Sequence, residues 1–91
     1  MGFEWDEAKR LANIRKHGID FLDVPEVFDG DTVTVEDNRY DYGEQRFVTL
    51  GLLQGILVAV VHTERGDSTR IISTRKATKY EQRIYFEKLS N

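Results

Sequence analysis

Three strand-like segments, "QRFVTLGLL", "ILVAVVHT" and "STRIISTR", follow one another in the second half of the chain with very short connections. Gln54-Gly55 separates the first pair, and a turn around Gly66 separates the second pair. A parallel crossover needs about a dozen residues or more, so segments this close can pair only as antiparallel hairpins. The sequence therefore predicts an antiparallel meander, which "TVTVE" at residues 32–36 extends to four strands.

A first helix is indicated by Asp6 as its N-cap and by Gly18 as its C-terminal stop. Apolar residues at helical spacing are expected to form a stripe that faces the core, with Arg15 pointing into it. The residues of this predicted stripe are Ala8, Leu11, Ala12 and Ile14. We therefore expect this side of the helix to pack on the sheet.

Two further helices complete the predicted order of elements. A short helix within "DFLDVPEVF" has Asp20 or Asp23 as its N-cap, and Pro25 favours Asp23 because proline is tolerated in a first turn. Thr78 and Glu81 match a capping box at the start of the last helix. The resulting order, α-α-β-β-β-β-α, predicts an α+β fold in which a four-stranded antiparallel sheet packs against helices.

Composition narrows the class of protein and the kinds of site. The 91 residues, 40% hydrophobic and 32% charged, are typical of one globular domain, which we expect to span residues 1–91. The chain has no cysteine, which excludes disulfides and thiolate metal sites, and only two histidines, so we expect no metal and no cofactor. The longest apolar run, "ILVAVV", is too short to span a bilayer, and the N-terminal residues resemble no secretory signal. We therefore expect a cytoplasmic protein without membrane contact.

Charge is unevenly distributed along the chain. The net charge of −3 is not typical of a nucleic-acid-binding protein. Acidic side chains concentrate in residues 20–44, however, whereas basic side chains concentrate in residues 62–83. The basic residues of the second segment are Arg65, Arg70, Arg75, Lys76, Lys79 and Arg83. Cations close to a sheet are either solvated or positioned to bind an anion, so we expect an acidic flank and a basic flank.

Three stretches closely resemble the BrnT toxins of bacterial type II toxin–antitoxin modules: "FEWDEAKRLANIRKHGIDFLDVPEVF", "EQRFVTLG" and "VVHTERGDSTRIISTRKATKYE". The most specific pieces are the F-E-W-D … N-x-R-K-H-G opening and the H-T-x-R-G-D … R-I-I-S-x-R-x-A-T-x-x-E ending. The resemblance implies a RelE/ParE-like fold and a ribonuclease that inhibits translation. It also implies a BrnA-like antitoxin as partner, which carries the DNA-binding domain, so that contact with DNA would be only indirect.

Metal-free cleavage of RNA by its own 2′-hydroxyl needs a proton acceptor, a proton donor and cations around the phosphate. Histidine titrates in the useful range, and arginine matches two phosphate oxygens at once. The predicted catalytic residues are His62, Arg70, Arg75 and Lys76. Arg46, Glu64 and Arg65 are predicted to contact the RNA, with Glu64 able to orient His62.

Several of these residues also have structural interpretations. His62 can end a buried strand with its ring hydrogen-bonded to backbone, and Arg70 can be a solvated side chain. Tyr40 and Tyr42 can stack on bases or simply pack within their loop. For the whole chain, the alternatives are a non-catalytic module that binds the antitoxin and, on superfamily analogy alone, a ParE-like inhibitor of DNA gyrase.

Overall fold

In the computed structural model, which describes residues 2–90, one five-stranded sheet is flanked by three helices. The strands are β1 (Gly2–Glu4), β2 (Val33–Asp37), β3 (Arg46–Leu53), β4 (Ile56–Arg65) and β5 (Ser68–Lys76). The helices are α1 (Glu7–His17), α2 (Val24–Asp29) and α3 (Lys79–Leu89). The strand order across the sheet is β1-β5-β4-β3-β2. Within the described residues, no helix is long and apolar enough to cross a membrane.

The predicted antiparallel meander is confirmed for β2 to β5. The turn between β3 and β4 has positive φ at both Gln54 (51°) and Gly55 (83°). Two successive residues with positive φ form the tight turn whose twist matches that of a hairpin. Gly66, with φ of 58°, plays the corresponding part between β4 and β5. These two turns fix the pairing of the three longest strands.

The predicted strand number is wrong, because the sheet has a fifth strand. β1 pairs in parallel with β5, so that Phe3 lies opposite Thr69 and Glu4 lies opposite Arg70. Three residues are too few to show the alternation that marks a strand in sequence, and the partner strand lies near the other end of the chain. The α+β class is confirmed, but the sheet is mixed rather than wholly antiparallel.

Helices cover both faces of the sheet. The face covered by α2, called the α2 face below, packs Ile19, Phe21, Val24, Val27, Leu53, Val58, Val60 and Ile71 into one core. The face covered by α3, called the α3 face, packs Val48, Leu50, Leu57, Ala59, Ala77 and Tyr85 into a second core. Strand residues alternate between these cores because successive side chains point to opposite faces.

Capping interactions define the helix ends. Asp6 accepts hydrogen bonds from the backbone N–H groups of α1, and Gly18 ends the helix with φ of 71°, as predicted. Asp20, rather than Asp23, accepts a side-chain capping bond, because a 3-10 turn, Phe21–Asp23, precedes α2. The capping box of α3 is present with both of its hydrogen bonds.

Helix α1 turns a different side to the sheet than its apolar pattern predicts. Asn13 is its buried residue, whereas Leu11 is 44% exposed. Beyond Arg70, where the pairing with β1 ends, the Asn13 amide bonds to both backbone groups of Thr74: Nδ2 donates to the carbonyl (2.9 Å) and Oδ1 accepts from the N–H (3.1 Å). Nδ2 also donates to the carbonyl of Ile19 at 2.9 Å. The amide thus takes the place of a neighbouring strand and sets the rotation of α1.

These hydrogen bonds predict a large loss of stability on Asn13→Ala. Three backbone groups lose their partner in a buried site, and one unsatisfied buried group costs about 1–3 kcal/mol. We expect the free energy of unfolding, measured by urea titration, to fall by at least about 2 kcal/mol, although alanine is the better helix former. Lys16→Ala, on the exposed side of the same helix, is the control. Equal stability of the two variants would contradict the bridging role.

Candidate functional site

A row of polar and charged side chains crosses all five strands on the α3 face. In the strand registers, Glu4 lies opposite Arg70, Arg70 opposite Thr63, and Asp37 opposite Arg46. Continuing the β3–β4 register by one position places Thr63 opposite Arg46. Directly opposed residues point to the same face of a sheet. Arg70 and Arg46 therefore stand on either side of Thr63.

Arg75 joins this face because of a β-bulge. His62 is paired with Ile71 and Val61 with Ser73, which leaves Ile72 as an extra residue in β5. Arg70 and Arg75 are an odd number of residues apart and would point to opposite faces of a regular strand. The extra residue restores them to the same face.

Arg75 is held by a carboxylate of the last helix. Its Nη1 lies 2.6 Å from Glu81 Oε1, and its Nη2 lies 3.0 Å from Oε2. Glu81 Oε1 also accepts the backbone N–H of Thr78 at 2.9 Å, as the second half of the capping box. The hydrogen bonds from Arg75 hold the pKa of Glu81 below its ordinary value, and Glu81 in turn raises the pKa of Arg75. The sequence predicted the cap of Glu81 but not this ion pair.

A second arginine–carboxylate pair adjoins the first. Arg39 Nε and Nη2 donate to the two oxygens of Asp37 at 2.9 and 3.1 Å, and Tyr42 adds a hydroxyl hydrogen bond at 3.2 Å. The hydrogen bonds from Arg39 lower the pKa of Asp37 to about 2, despite the burial of its side chain. Arg39 and Arg75 line one pocket of about 210 Å³ between the sheet and the start of α3. Arg39 was not among the predicted site residues, because only its charge marks it in sequence.

Two more arginines share one carboxylate where β3 begins and β4 ends. Glu44 lies 3.7 Å from Arg46 Nε and 3.6 Å from Arg65 Nη2. The guanidinium of Arg46 lies over the ring of Tyr42, with its central carbon 4.0 Å from the ring centroid. Within residues 2–90, the buried Nε of Arg46 has no hydrogen-bond partner. An aromatic ring and two guanidinium groups therefore lie together at this end of the α3 face.

His62 lies on the other side of the sheet. It is 4% exposed and packs between the rings of Phe28 and Phe47, with centroid distances of 5.4 and 5.8 Å. Its Nε2 lies 2.7 Å from Thr49 Oγ1, and its Nδ1 lies 2.6 Å from Glu64. The sheet itself therefore separates this ring from the side chains of Arg70 and Arg75.

The hydrogen bonds around His62 fit a neutral ring. Nδ1–H donates to Glu64, and Nε2 accepts from the hydroxyl of Thr49, which in turn is bonded to Thr34 at 2.8 Å. The other oxygen of Glu64 accepts from Thr69 at 2.9 Å. Burial lowers the pKa of His62 below its ordinary value, and it outweighs the opposite effect of Glu64. The ring bonds to side chains, and not to the backbone as its structural interpretation predicted.

The predicted site residues thus divide between the two faces. Arg46, Arg65, Arg70 and Arg75 lie on the α3 face or at its hairpin end. His62, Glu64 and Lys76 belong to the α2 face, where Lys76 is paired with Val58 and lines a pocket with His17 and Ile19. Among residues 2–90, no cluster of three potential ligands could hold a metal ion.

One protein-family model matches residues 5–81 and carries the description "ribonuclease toxin, BrnT, of type II toxin–antitoxin system". The chain belongs to the BrnT family. No curated protein matches it at a significant level. The matched range runs from Trp5 to Glu81. It therefore includes residues on both faces of the sheet and ends at Glu81, the ion-pair partner of Arg75.

The environment of His62 predicts that this BrnT protein becomes less stable on mild acidification. The pKa of His62 is lower in the folded protein than the value near 6.5 of an unfolded chain, so the unfolded chain takes up the proton first. The free energy of unfolding should therefore be level above about pH 6.5 and fall as the pH drops toward the folded-state pKa.

Urea titrations at pH 7.5 and pH 5.5 test this expectation. His62→Asn should remove most of the difference between the two pH values, whatever its own effect on stability. His17→Asn, which replaces the other histidine, should leave the difference in place. A pH dependence that persists in His62→Asn would show that another group causes it.

Proposed function

We propose that this BrnT chain is a metal-independent endoribonuclease that inhibits translation, and that the α3 face is its RNA-cleaving surface. The observation that carries the proposal is the bulge at Ile72, which gives Arg70 and Arg75 a common face. RNA presents a row of phosphates, and arginine binds phosphate through two parallel hydrogen bonds. A face that carries several arginines suits this substrate.

Arg70 and Arg46 are spaced so that both can bind one phosphodiester region. Neighbouring strands lie about 4.8 Å apart, so Arg70 and Arg46 have Cα atoms roughly 10 Å apart across β4. Two extended arginine side chains can span that distance and meet at one phosphate. Among the ion pairs of the described residues none involves Arg70, which leaves its guanidinium available for an anion.

The proposed reaction is transesterification by the RNA itself. The 2′-oxygen attacks the phosphorus, the bond to the 5′-oxygen breaks, and the products are a 2′,3′-cyclic phosphate and a 5′-hydroxyl. Arg70 and Arg75 would stabilise the extra negative charge of the transition state. His62 is buried on the other face, and we assign it a structural role in the polar chain that links Thr49 to Glu64.

The acidic net charge is compatible with this function because binding depends on the local surface. Glu44 and Glu81 partly neutralise the arginines beside them. RNA must compete with these carboxylates, so we expect binding that is modest and weakens strongly as salt rises. The chain's formal charge of −3 argues against tight non-specific binding of RNA. It does not argue against an RNA-binding site confined to the α3 face.

We also propose that the partner is a BrnA-like antitoxin in the cytoplasm, and that it covers the α3 face with an acidic segment. The type II toxin family implies an antitoxin. A face of arginines attracts a partner of opposite charge and is blocked by it. Contact of this protein with DNA would then pass through the antitoxin.

The division between faces predicts how substitutions affect cleavage. Arg70→Ala and Arg75→Ala should each lower the rate of RNA cleavage in EDTA by a factor of about 100 or more, because each removes a donor to the transition state. Lys76→Ala is the matched control, since Lys76 is adjacent to Arg75 on the same strand but faces the other way. Its rate should stay within a few-fold of wild type.

Three results would contradict parts of this proposal. Normal rates in both arginine variants would remove them from the site. A large loss in Lys76→Ala would place the site on the α2 face. A folded wild-type protein that binds its antitoxin but cleaves no RNA would be the non-catalytic binding module that the sequence also allows.

The proposed antitoxin contact predicts association that depends on charge. In stopped-flow mixing, the association rate should fall as salt rises, because exposed charges are screened beyond about 8–10 Å. Arg70→Glu should slow association further, whereas Lys76→Glu on the opposite face should have little effect. A rate indifferent to salt and to Arg70→Glu would mean that the antitoxin binds elsewhere.

A further inference from the structure

The α3 face needs a group that exchanges a proton with the RNA, and neither histidine of the chain provides it. His62 is buried on the α2 face, and His17 lies at the end of α1. The described carboxylates near the arginines of the face are Glu4, Asp37, Glu44 and Glu81. Glu36 also lines the pocket that holds Arg39 and Arg75, but its register opposite Phe47 directs its side chain to the α2 face. Lysine and tyrosine side chains ordinarily carry their proton at neutral pH whereas carboxylates do not, so we seek the proton acceptor among these four.

Two of these carboxylates are poorly suited to accept a proton. The side chain of Asp37 is 3% exposed, and four hydrogen bonds from Arg39 and Tyr42 fill both acceptor positions of each of its oxygens. Glu44 is separated from its two arginines by 3.6 and 3.7 Å, beyond hydrogen-bond distance, so these contacts do not fix its position.

A third carboxylate, Glu4, is opposite Arg70 but does not line the pocket that contains Arg75. Glu4 lies on β1, at the end of the cross-strand row away from the pocket that holds Arg39 and Arg75. Glu81 is therefore the carboxylate that remains in this pocket.

Glu81 combines a fixed position with access to that pocket. Its side chain is 16% exposed, and it lines the pocket of about 210 Å³ together with Arg39, Arg75 and Tyr80. Oε1 accepts hydrogen bonds from Arg75 and Thr78, whereas Oε2 accepts one from Arg75. A carboxylate oxygen has capacity for two hydrogen bonds, so Oε2 can still accept a proton.

Arg75 is able to serve Glu81 and a phosphate at the same time. A guanidinium has five N–H donors, of which the pair with Glu81 uses two. A third donates from Nη1 to the carbonyl of Lys76 at 3.4 Å, which leaves two for another acceptor. A phosphate bound to the remaining donors would lie beside the carboxylate. The 2′-hydroxyl next to that phosphate would then be within reach of Oε2.

We propose that Glu81 is the general base that removes the 2′-hydroxyl proton during RNA cleavage, a role that rests on the function proposed above. The proton passes from the 2′-oxygen to Glu81 as the O2′–P bond forms and the P–O5′ bond breaks. It is then returned through solvent to the 5′-oxygen, so no other reactant is consumed. Arg75 orients the base, and the phosphate that binds to it offsets part of the positive charge that lowers the pKa of Glu81 in the free protein.

The capping box makes a purely structural role the competing explanation, and two variants separate the roles. Glu81→Gln removes the base but keeps an acceptor for the Thr78 N–H, since glutamine also occurs at this position of capping boxes. Thr78→Ala removes the other half of the cap and leaves the carboxylate. The first variant should lose cleavage, and the second should lose stability.

The experiment measures RNA binding, RNA cleavage and urea stability for wild type and both variants. Glu81→Gln should bind RNA at least as well as wild type, because one negative charge is removed. It should cleave RNA more slowly by a factor of about 100 to 10,000, which is the usual contribution of general acid–base catalysis. Thr78→Ala should keep a cleavage rate within tenfold of wild type under conditions where it is folded. This combination would support the proposal.

A second substrate tests the direction of proton transfer. Uridine 3′-(4-nitrophenyl phosphate) has a leaving group that needs no protonation but still requires deprotonation of its 2′-hydroxyl. The defect of Glu81→Gln should persist on this substrate. A defect that disappears would make Glu81 the acid and overturn the proposal.

Three other results would overturn it as well. Cleavage by Glu81→Gln within tenfold of wild type would show that the carboxylate is not needed. An equal loss in folded Thr78→Ala would show that the cap, and not the base, matters. A wild type that cleaves neither substrate would overturn the proposed function and this role together, whereas the first two results leave the proposed function intact.

Discussion

The extra residue in β5 decides which side chains of this protein act together. A regular strand would direct Arg70 and Arg75 to opposite faces, and no surface would then carry more than one of them. The bulge at Ile72 shifts the alternation by one position, so both arginines point toward α3. The same shift leaves Lys76 on the α2 face, although it is next to Arg75 in sequence. Every functional argument above depends on this change of register.

Acidic residues organise the arginine face rather than oppose it. Asp37 and Glu81 each hold one arginine through two hydrogen bonds, and Glu44 lies between two others. Long side chains lose considerable rotamer freedom when they bind a ligand, and prior pairing reduces that loss. An acidic composition therefore accompanies an ordered cationic surface. The ion pairs also explain why net charge was a poor guide to the surface that the fold creates.

The sequence predicted local features well because their causes are local. The hairpins followed from connection length, the start of α1 from Asp6, and the capping box from the spacing of Thr78 and Glu81. Features that depend on distant partners were missed. β1 is recognisable only beside β5, and the burial of Asn13 makes sense only once it faces Thr74.

The candidate site shows the same limit more sharply. The sequence identified Arg70 and Arg75, because their charge stands out beside apolar strands. It grouped His62 and Lys76 with them, because nearness in sequence does not reveal the face to which a side chain points. Only the pairing of β4 with β5 reveals the bulge, and a bulge has no reliable mark in a single sequence.

The amide of Asn13 also determines how the sheet meets other chains. Open strand edges are templates on which a further strand, from a partner or from another copy, can add. At one edge β1 covers the start of β5, and Asn13 occupies both backbone groups of Thr74 further along. At the other edge, β3 is the one strand of the described residues that pairs with β2. The two edges of the sheet therefore differ in their ability to pair with a further strand. A strand from another chain can add beside β2, whereas a strand adding beside Thr74 would first have to displace α1.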